Sequence, residues 1–489
     1  MNEKHLFLRG RTYGWLLATS VMLFGACTDA IEPETWDPGV SNVTLAAPEV
    51  ADAPNAKGDG TILSWPVVYG AGGFQLSLYD VTTPDAPITI FEDSIIDGHT
   101  CTVPREDDTA YKLVVQTLGN EKYNNLPSEK TEYLFTTIVP KIHENPIPGG
   151  TDLSVWLADN KSVIESQTEE FAVELTAGQT YKMSTPFYLG KVPFTLRSSS
   201  KTERAYIEMG ETAGFIIESG IKIKRINFDC TNMTSKTAAI IAYPKEPTVE
   251  AIDGYYVIGS SEATENTPVV LQQCNIKALK TNLFYDSGTQ WTVFTEMITD
   301  CIIELDQAAM DANGAHIFNN SKGMSFHTTI ENSTIYSTTQ SRKSFLITYT
   351  GKRPDQIANG KISPTCDVNV LNNTFVNVAY KNSICNYGRL GGRNIFTIQL
   401  KFNIFLDCGN NRVGRDFCGN GNGNENRDMA SNNFWYNGAI GDTNRKVCPN
   451  PGLDPQFTQT EEGIFMVGNP ELNAGQFGDP RGLTIIEEN

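Results

Sequence analysis

Six short runs recur along the C-terminal part of the chain: "QQCNIKAL", "TDCIIEL", "IENSTIY", "VLNNTFVN", "LKFNIFLD" and "ASNNFWYN". Each sets a polar or small residue just before an apolar pair: Cys274, Cys301, Asn332, Asn373, Asn403 and Asn433. The successive spacings are 27, 31, 41, 30 and 30 residues. A period near 30 with strand-forming content fits one rung of a β-solenoid, and the longer interval fits a loop inserted on one face. An α-solenoid is a poor alternative, because the units are rich in Val, Ile, Thr, Phe and Asn and lack helical apolar spacing.

The segment "CDVNVLNNTFVNV", residues 366–378, shows how such a rung turns. It alternates like a strand, yet Asn372 and Asn373 stand in its middle. Asn is depleted in strands and tolerates the left-handed conformation, so the pair marks a bend. In a parallel coil, equivalent bend residues lie about 4.8 Å apart. Stacked Asn side chains at that distance hydrogen-bond one another and the backbone, as in other amide ladders. Asn372 and Asn373 are therefore expected to be scaffold.

The chain of 489 residues has room for two or three domains. Its N-terminus carries Lys4, Arg9 and Arg11, then an apolar run to Ala26 that is too short to span a bilayer comfortably. The pattern reads as a signal peptide over 1–26. "LFGAC" resembles a bacterial lipobox, which implies lipidation of Cys27, and the acidic, Pro-containing residues 27–42 read as a tether. Between 43 and 138, short β-like runs separated by Gly, Pro, Asn and Asp indicate a small β-sandwich. Trp65 and the alternating Tyr111, Leu113 and Val115 resemble a fibronectin type III module, in which Trp65 is core and the module a spacer. A Pro- and Gly-rich linker covers 139–150.

From 151 onward the expected architecture is all-β: a right-handed parallel β-helix with a short N-terminal capping helix from Leu153 to about Ile164. A cap covers the otherwise open end of the coil. The entry pattern, the "NNTF" and "NNFW" rungs, and the tail "GLDPQF" then "GNPELNAGQFGDPRG" carry a family resemblance. The region resembles Bacteroidetes surface lipoproteins built on domains of unknown function 4957 and 5123, here about 151–365 and 366–489. Those proteins look like pectate-lyase-type β-helices and are commonly found with glycan-utilisation machinery. Family members often carry Trp where this chain has Gly482.

The formal charge of −19 argues against a nucleic-acid partner, whose phosphates need a basic surface. Of the ten Cys, none forms a C-x-x-C pair, so a zinc site is not expected. Cys274, Cys301, Cys385 and Cys408 sit in apolar runs as small buried hydrophobes, and a disulfide among Cys408, Cys418 and Cys448 stays open.

With the Asn bend placed between the second and third strands of each rung, the next strand is the expected groove side. It stacks "LFYDS" (283–287), "AHIFN" (315–319), "SFLITY" (344–349), "SICNY" (383–387) and "RVGR" (412–415). The strip then offers Tyr285, His316, Tyr349, Tyr387, Arg412 and Arg415, with Arg389 and Arg393 on an adjoining loop. Aromatic faces and Arg forks suit a uronate-containing polysaccharide. The plainer alternative is that the tyrosines are partly buried and the arginines pair with Asp407, Asp416 or Asp428. A lyase would need Ca²⁺ held by several carboxylates and a Lys or Arg base. No acid cluster is evident on the groove strands, where Asp286 stands nearly alone, and no paired catalytic aspartates or "GHG" element of a polygalacturonase appears. The Gly- and Asn-rich 417–428 lacks P-loop or calcium-repeat residues and reads as an insertion.

The expected protein is a noncatalytic, lipid-anchored glycan-binding component of a polysaccharide-utilisation system. It would stand in the outer membrane facing the exterior, need no cofactor, and adjoin glycan-import proteins. The alternatives are a polysaccharide lyase acting by β-elimination, with Ca²⁺ only in that case, and a structural or adhesin-like surface protein.

Overall fold

The computed structural model describes residues 39–54, 60–252, 254–260, 267–341, 344–350, 366–387, 396–409, 413–418, 427–428, 431–436, 439–440, 452–461 and 463–484. Cys27 and the signal segment lie outside them. The chain divides into two compact units, 1–138 and 139–489.

The first unit is an antiparallel β-sandwich. Strands Ala51–Pro54, Gly60–Ser64 and Thr100–Pro104 form one sheet; Ile88–Ile96, Phe74–Asp80, Ala110–Thr117 and Thr131–Thr136, in that spatial order, form the other. Ala110–Thr117 alternates half-buried and buried residues along its length, the signature of a strand with one face on a core. That core gathers Leu63, Trp65, Leu76, Leu78, Tyr111 and Leu113. Trp65 is 3% exposed and packs edge-on against Phe74, with ring centroids 5.2 Å apart. It is a packing residue, as its sequence context predicts.

The second unit is a right-handed parallel β-helix built from three sheets. Sheet I runs from Phe171–Leu175 to Arg427–Asp428, sheet II from Thr180–Met183 to Asn432–Tyr436, and sheet III from Pro186–Gly190 to Cys385–Asn386. Up to Cys385–Asn386 each rung contributes one strand to each sheet in turn, and strands pair in parallel register with those of the next rung. Two short helices, Leu153–Asp159 and Lys161–Glu165, stand at the N-terminal end. Asp152 caps the first by accepting from the Ser154 N–H, and Leu153, Leu157 and Ile164 join the coil's core.

The bend between sheets I and II repeats one conformation. Arg225, Gln273, Asp300, Asn332, Asn372 and Phe402 all hold φ between 49° and 58°, the left-handed region that costs a non-Gly residue about 1–2 kcal/mol. After Gln273, Asp300, Asn332, Asn372 and Phe402 the next residue points inward and offsets that strain, whereas Arg225 is followed by the buried, apolar Ile226. Cys274, Cys301, Ser333, Asn373, Asn403 and Asn432 form one buried column, each side chain accepting from the backbone N–H of the member before it. The sequence register is thus corrected at two rungs. Ser333, not Asn332, occupies the column, because the bend there wants a left-handed residue first and an inward acceptor second; at the last rung Asn432, not Asn433, occupies it, in register with Asn403. Asn332 takes the former place. Asn433 instead pairs with the Leu453 backbone, donating to its carbonyl at 2.9 Å and accepting from its N–H at 2.7 Å.

The inward residues after the bend also stack. Phe375, Phe405 and Phe434 lie in register with centroids 4.7 and 5.1 Å apart and nearly parallel rings. The C-terminal segment then lays Val467, Leu472 and Phe477 against Ile404 on the outer face of sheet II. Cys101, Cys230, Cys274, Cys301, Cys385 and Cys408 are free thiols.

Candidate functional site

Sheet III brings together four of the five segments that the sequence stacks. Strands Asn282–Tyr285, Phe318–Asn320, Ile347–Tyr349 and Cys385–Asn386 are successive neighbours. Phe284, Phe318, Ile347 and Cys385 align and point into the core, so Tyr285, Asn319, Thr348 and Asn386 align on the opposite face. The fifth segment departs. "RVGR" does not continue the sheet; Val413–Cys418 is a helix whose Val413 and Phe417, four residues apart, both bury into the coil. Its Asp416 accepts from the Ile384 N–H at 3.2 Å, tying the helix to the last strand of sheet III.

Of the eight strip residues, Tyr285 stands where the sequence places it. It is half-buried, and burial followed by the neighbouring Asp286 raises its hydroxyl above the usual range, so it remains a protonated donor. Tyr349 and Tyr387 do not line the outer face. They are 0% and 4% exposed, in the core. The reason is register: Tyr285 aligns with Asn319 and hence Thr348, so Tyr349 is one residue out of phase and faces inward. His316 precedes its strand and is mostly buried against Phe345, whose N–H donates to its Nδ1 at 3.1 Å. Burial pulls its pKa down to about 4, against the pull of Asp311, so it is a neutral ring at pH 7. Arg389, Arg393 and Arg412 lie outside the described residues, as does the side chain of Arg415.

The turn after Tyr285 is held from both sides. Asp286 is fully buried and accepts from Gly288 N–H at 2.9 Å and Lys322 N–H at 2.6 Å. Thr289 Oγ1 donates to the Lys245 carbonyl at 3.1 Å. Lys245 and Lys322 are exposed, so the rungs before and after Tyr285 each carry an exposed lysine in the turn that follows their sheet III strand. Asp286 itself is spent on backbone and cannot serve a ligand. Among the described residues, no group of three or more His, Cys, Asp or Glu converges to hold a metal ion.

Inside the coil is a polar network that the sequence reading missed. Glu296, 0% exposed, accepts from Tyr243 Oη and from Asn320 Nδ2 at 3.0 Å, with Tyr349 Oη at 3.4 Å. Thr328 Oγ1 lies 2.8 Å from Tyr349 Oη. Burial pushes the Glu296 carboxyl up to about 7 despite these donors. The signal was available: in "WTVFTEMIT" an acid shares inward parity with Ile298.

The model of the DUF4957 family, a domain of unknown function, matches residues 179–338. That of DUF4992, also a domain of unknown function, matches 1–178. The border between them falls inside the first rung, between Phe171–Leu175 and Thr180–Met183, and not at the 138/139 division of the two units. No match was found among curated proteins. The chain is similar to a family 28 exopolygalacturonase from Yersinia enterocolitica at 13% identity, over 74% of each chain, with a TM-score of 0.31. It is also similar to pectate lyase PelI from Erwinia chrysanthemi, solved with tetragalacturonic acid, at 10% identity over 74% of this chain and 85% of that one, with a TM-score of 0.19. At such values the likeness carries no residue-level argument, and the fold rests on the sheet pairings described above.

Proposed function

We propose that the protein is a surface glycan-binding lipoprotein whose β-helix holds an acidic, uronate-containing polysaccharide along sheet III. The observation that carries this reading is the Tyr285 rung, an outward aromatic with the exposed Lys245 and Lys322 on the rungs to either side. A Tyr ring packs on sugar C–H faces while ammonium groups meet uronate carboxylates. In the same column Asn319 and Thr348 are buried and Asn386 is half-buried, so Tyr285 and the lysines carry the contact. In this reading Arg389, Arg393, Arg412 and Arg415 extend the basic edge, Cys27 carries the lipid that fixes the protein to the outer membrane, and the fibronectin-like sandwich is a spacer. Glycan-import proteins are its neighbours.

Affinity electrophoresis of the full chain in gels containing polygalacturonate tests the proposal, with ultraviolet absorbance of the product read in parallel. Retardation without an unsaturated product is expected, and the combined change Tyr285→Ala, Lys245→Ala and Lys322→Ala should abolish it. The double change Arg412→Ala and Arg415→Ala should weaken it. A rise in ultraviolet absorbance would replace this reading with a β-eliminating lyase, and no retardation on any acidic glycan would end it.

A further inference from the structure

Among the described residues, the C-terminal segment covers the outer face of sheet II over its later rungs only. Over the earlier rungs a cleft of about 430 Å³ stays open, with Glu461 of that segment at its border. Two in-register columns of outward residues make its floor. One contains Thr180, Tyr206, Asn227, Asn275 and Ile302, and the other contains Glu208, Asp229 and Lys277. Tyr206 is 47% exposed, so its ring is presented to the cleft at little structural cost. Tyr336 stands four rungs further on, roughly 19 Å along the coil at about 4.8 Å per rung. Burial, then the charge of the neighbouring Glu304, pushes the Tyr336 hydroxyl up to about 12, which keeps it a donor.

The lining decides what such a cleft can take. The lining carries Glu208, Asp229, Glu304 and Glu461 against one ammonium, Lys277, with Lys182 in register beside Glu208 and Lys280 near Asp229 just outside it. Burial disfavours the charge on Asp229, but Thr231 donors and the nearby Lys277 and Lys280 hold its carboxyl below the usual range, so it is ionised. The Oδ1 atoms of Asn227 and Asn275 are buried without a protein donor.

We propose that this cleft binds a neutral oligosaccharide. Sugar hydroxyls donate to carboxylates in charge-assisted bonds, and the two tyrosine rings pack against C–H faces at either end. A uronate chain is rejected, because its carboxylates would meet four like charges at a partly desolvated surface. The separation of the two tyrosines calls for an oligomer and not a single sugar. The site lies on a different sheet from the Tyr285 rung and needs nothing from it.

Isothermal titration of the full chain tests the cleft with four probes: xylohexaose, cellohexaose, mannohexaose and a fully deacetylated glucosamine hexamer. At least one of the three neutral hexamers should bind. Tyr206→Ala should weaken that binding about tenfold or more, and Tyr206→Phe should leave it within about twofold. Because Tyr206 is exposed, an unchanged melting temperature should accompany the loss. Retention of Tyr206→Ala on polygalacturonate should also be unchanged, which separates this cleft from sheet III. The proposal is overturned if no neutral hexamer binds, if only the cationic hexamer binds, or if Tyr206→Ala binds as tightly as the parent.

Discussion

Asn373 Nδ2 lies 3.0 Å from Asn403 Oδ1 and 2.8 Å from the Ile330 carbonyl, while its own Oδ1 accepts from the Ser333 N–H at 2.9 Å. One side chain therefore joins three rungs inside a buried column. Asn373→Ala would leave the Ser333 N–H buried without its acceptor and remove the amide's bonds to the Ile330 carbonyl and Asn403 Oδ1, at a cost of about 2–4 kcal/mol. Its neighbour Asn372 holds φ at 56° and makes a different prediction. Asn372→Gly should be tolerated within about 1 kcal/mol, because Gly enters the left-handed region freely. Urea denaturation followed by circular dichroism checks both, and equal effects at the two positions would refute the division of labour between them.

Arg481 fastens the C-terminal segment to the coil. Its guanidinium donates to the carbonyls of Asp300 at 3.0 Å, Cys301 at 2.8 Å and Asn332 at 3.0 Å, reaching the bends of two successive rungs. It also pairs with Asp479, which is 1% exposed and accepts from Thr334 Oγ1 at 2.7 Å. Arg481→Ala would strand that buried carboxylate, a loss of about 3–5 kcal/mol that falls first on the segment's docking. Hydrogen exchange over residues 453–484 should rise by orders of magnitude while the early rungs stay protected. Gly482, next to this clamp, has no room for a side chain. A Cβ there would lie 2.3 Å from the Phe465 carbonyl, so Gly482→Trp should loosen the segment too.

The coil was legible because its period repeats, and its bends were legible because Asn serves them twice over. That double use also set the limit. In "ENST" and "SNNF" adjacent positions both accept a polar residue, so the column was misread by one residue at Asn332 and Asn433. Parity failed at Tyr349 for a related reason, since a loop of varying length precedes each sheet III strand and hides its phase. "RVGR" could not be told from a strand end by four residues alone. The sheet II cleft left no local motif at all: Tyr206, Asn227, Asn275 and Tyr336 come from four separate rungs and meet only through register.

Thiol chemistry separates packing from cross-linking. Cys230 and Cys408 are free and nearly or wholly buried, and burial raises both thiols well above the ordinary range. Iodoacetamide at pH 8 should leave both unmodified in the native protein and alkylate both in urea. Mass spectrometry of peptides from non-reduced protein checks the alternative. A Cys408 peptide disulfide-linked to Cys418 or Cys448 would contradict the free thiol seen here.

Glu296 gives the fold a pH dependence of predictable sign. Its carboxyl is raised from 4.5 to about 7, chiefly by burial, so the folded state holds a proton that the unfolded chain releases near 4.5. The neutral form is therefore the one that fits. Its contribution is full below about pH 4.5, is lost progressively up to about pH 7, and is flat above, with a total on the order of 3 kcal/mol. Glu296→Gln stays neutral throughout, keeps an acceptor for Tyr243, and brings an amide N–H₂ beside Asn320, whose Oδ1 has no donor. The melting temperature of the variant should match the parent near pH 5 and exceed it by several degrees at pH 8. A constant difference across that range would mean that Glu296 does not titrate there, and a variant less stable at pH 8 would mean that the tyrosine and asparagine donors already hold the ionised form.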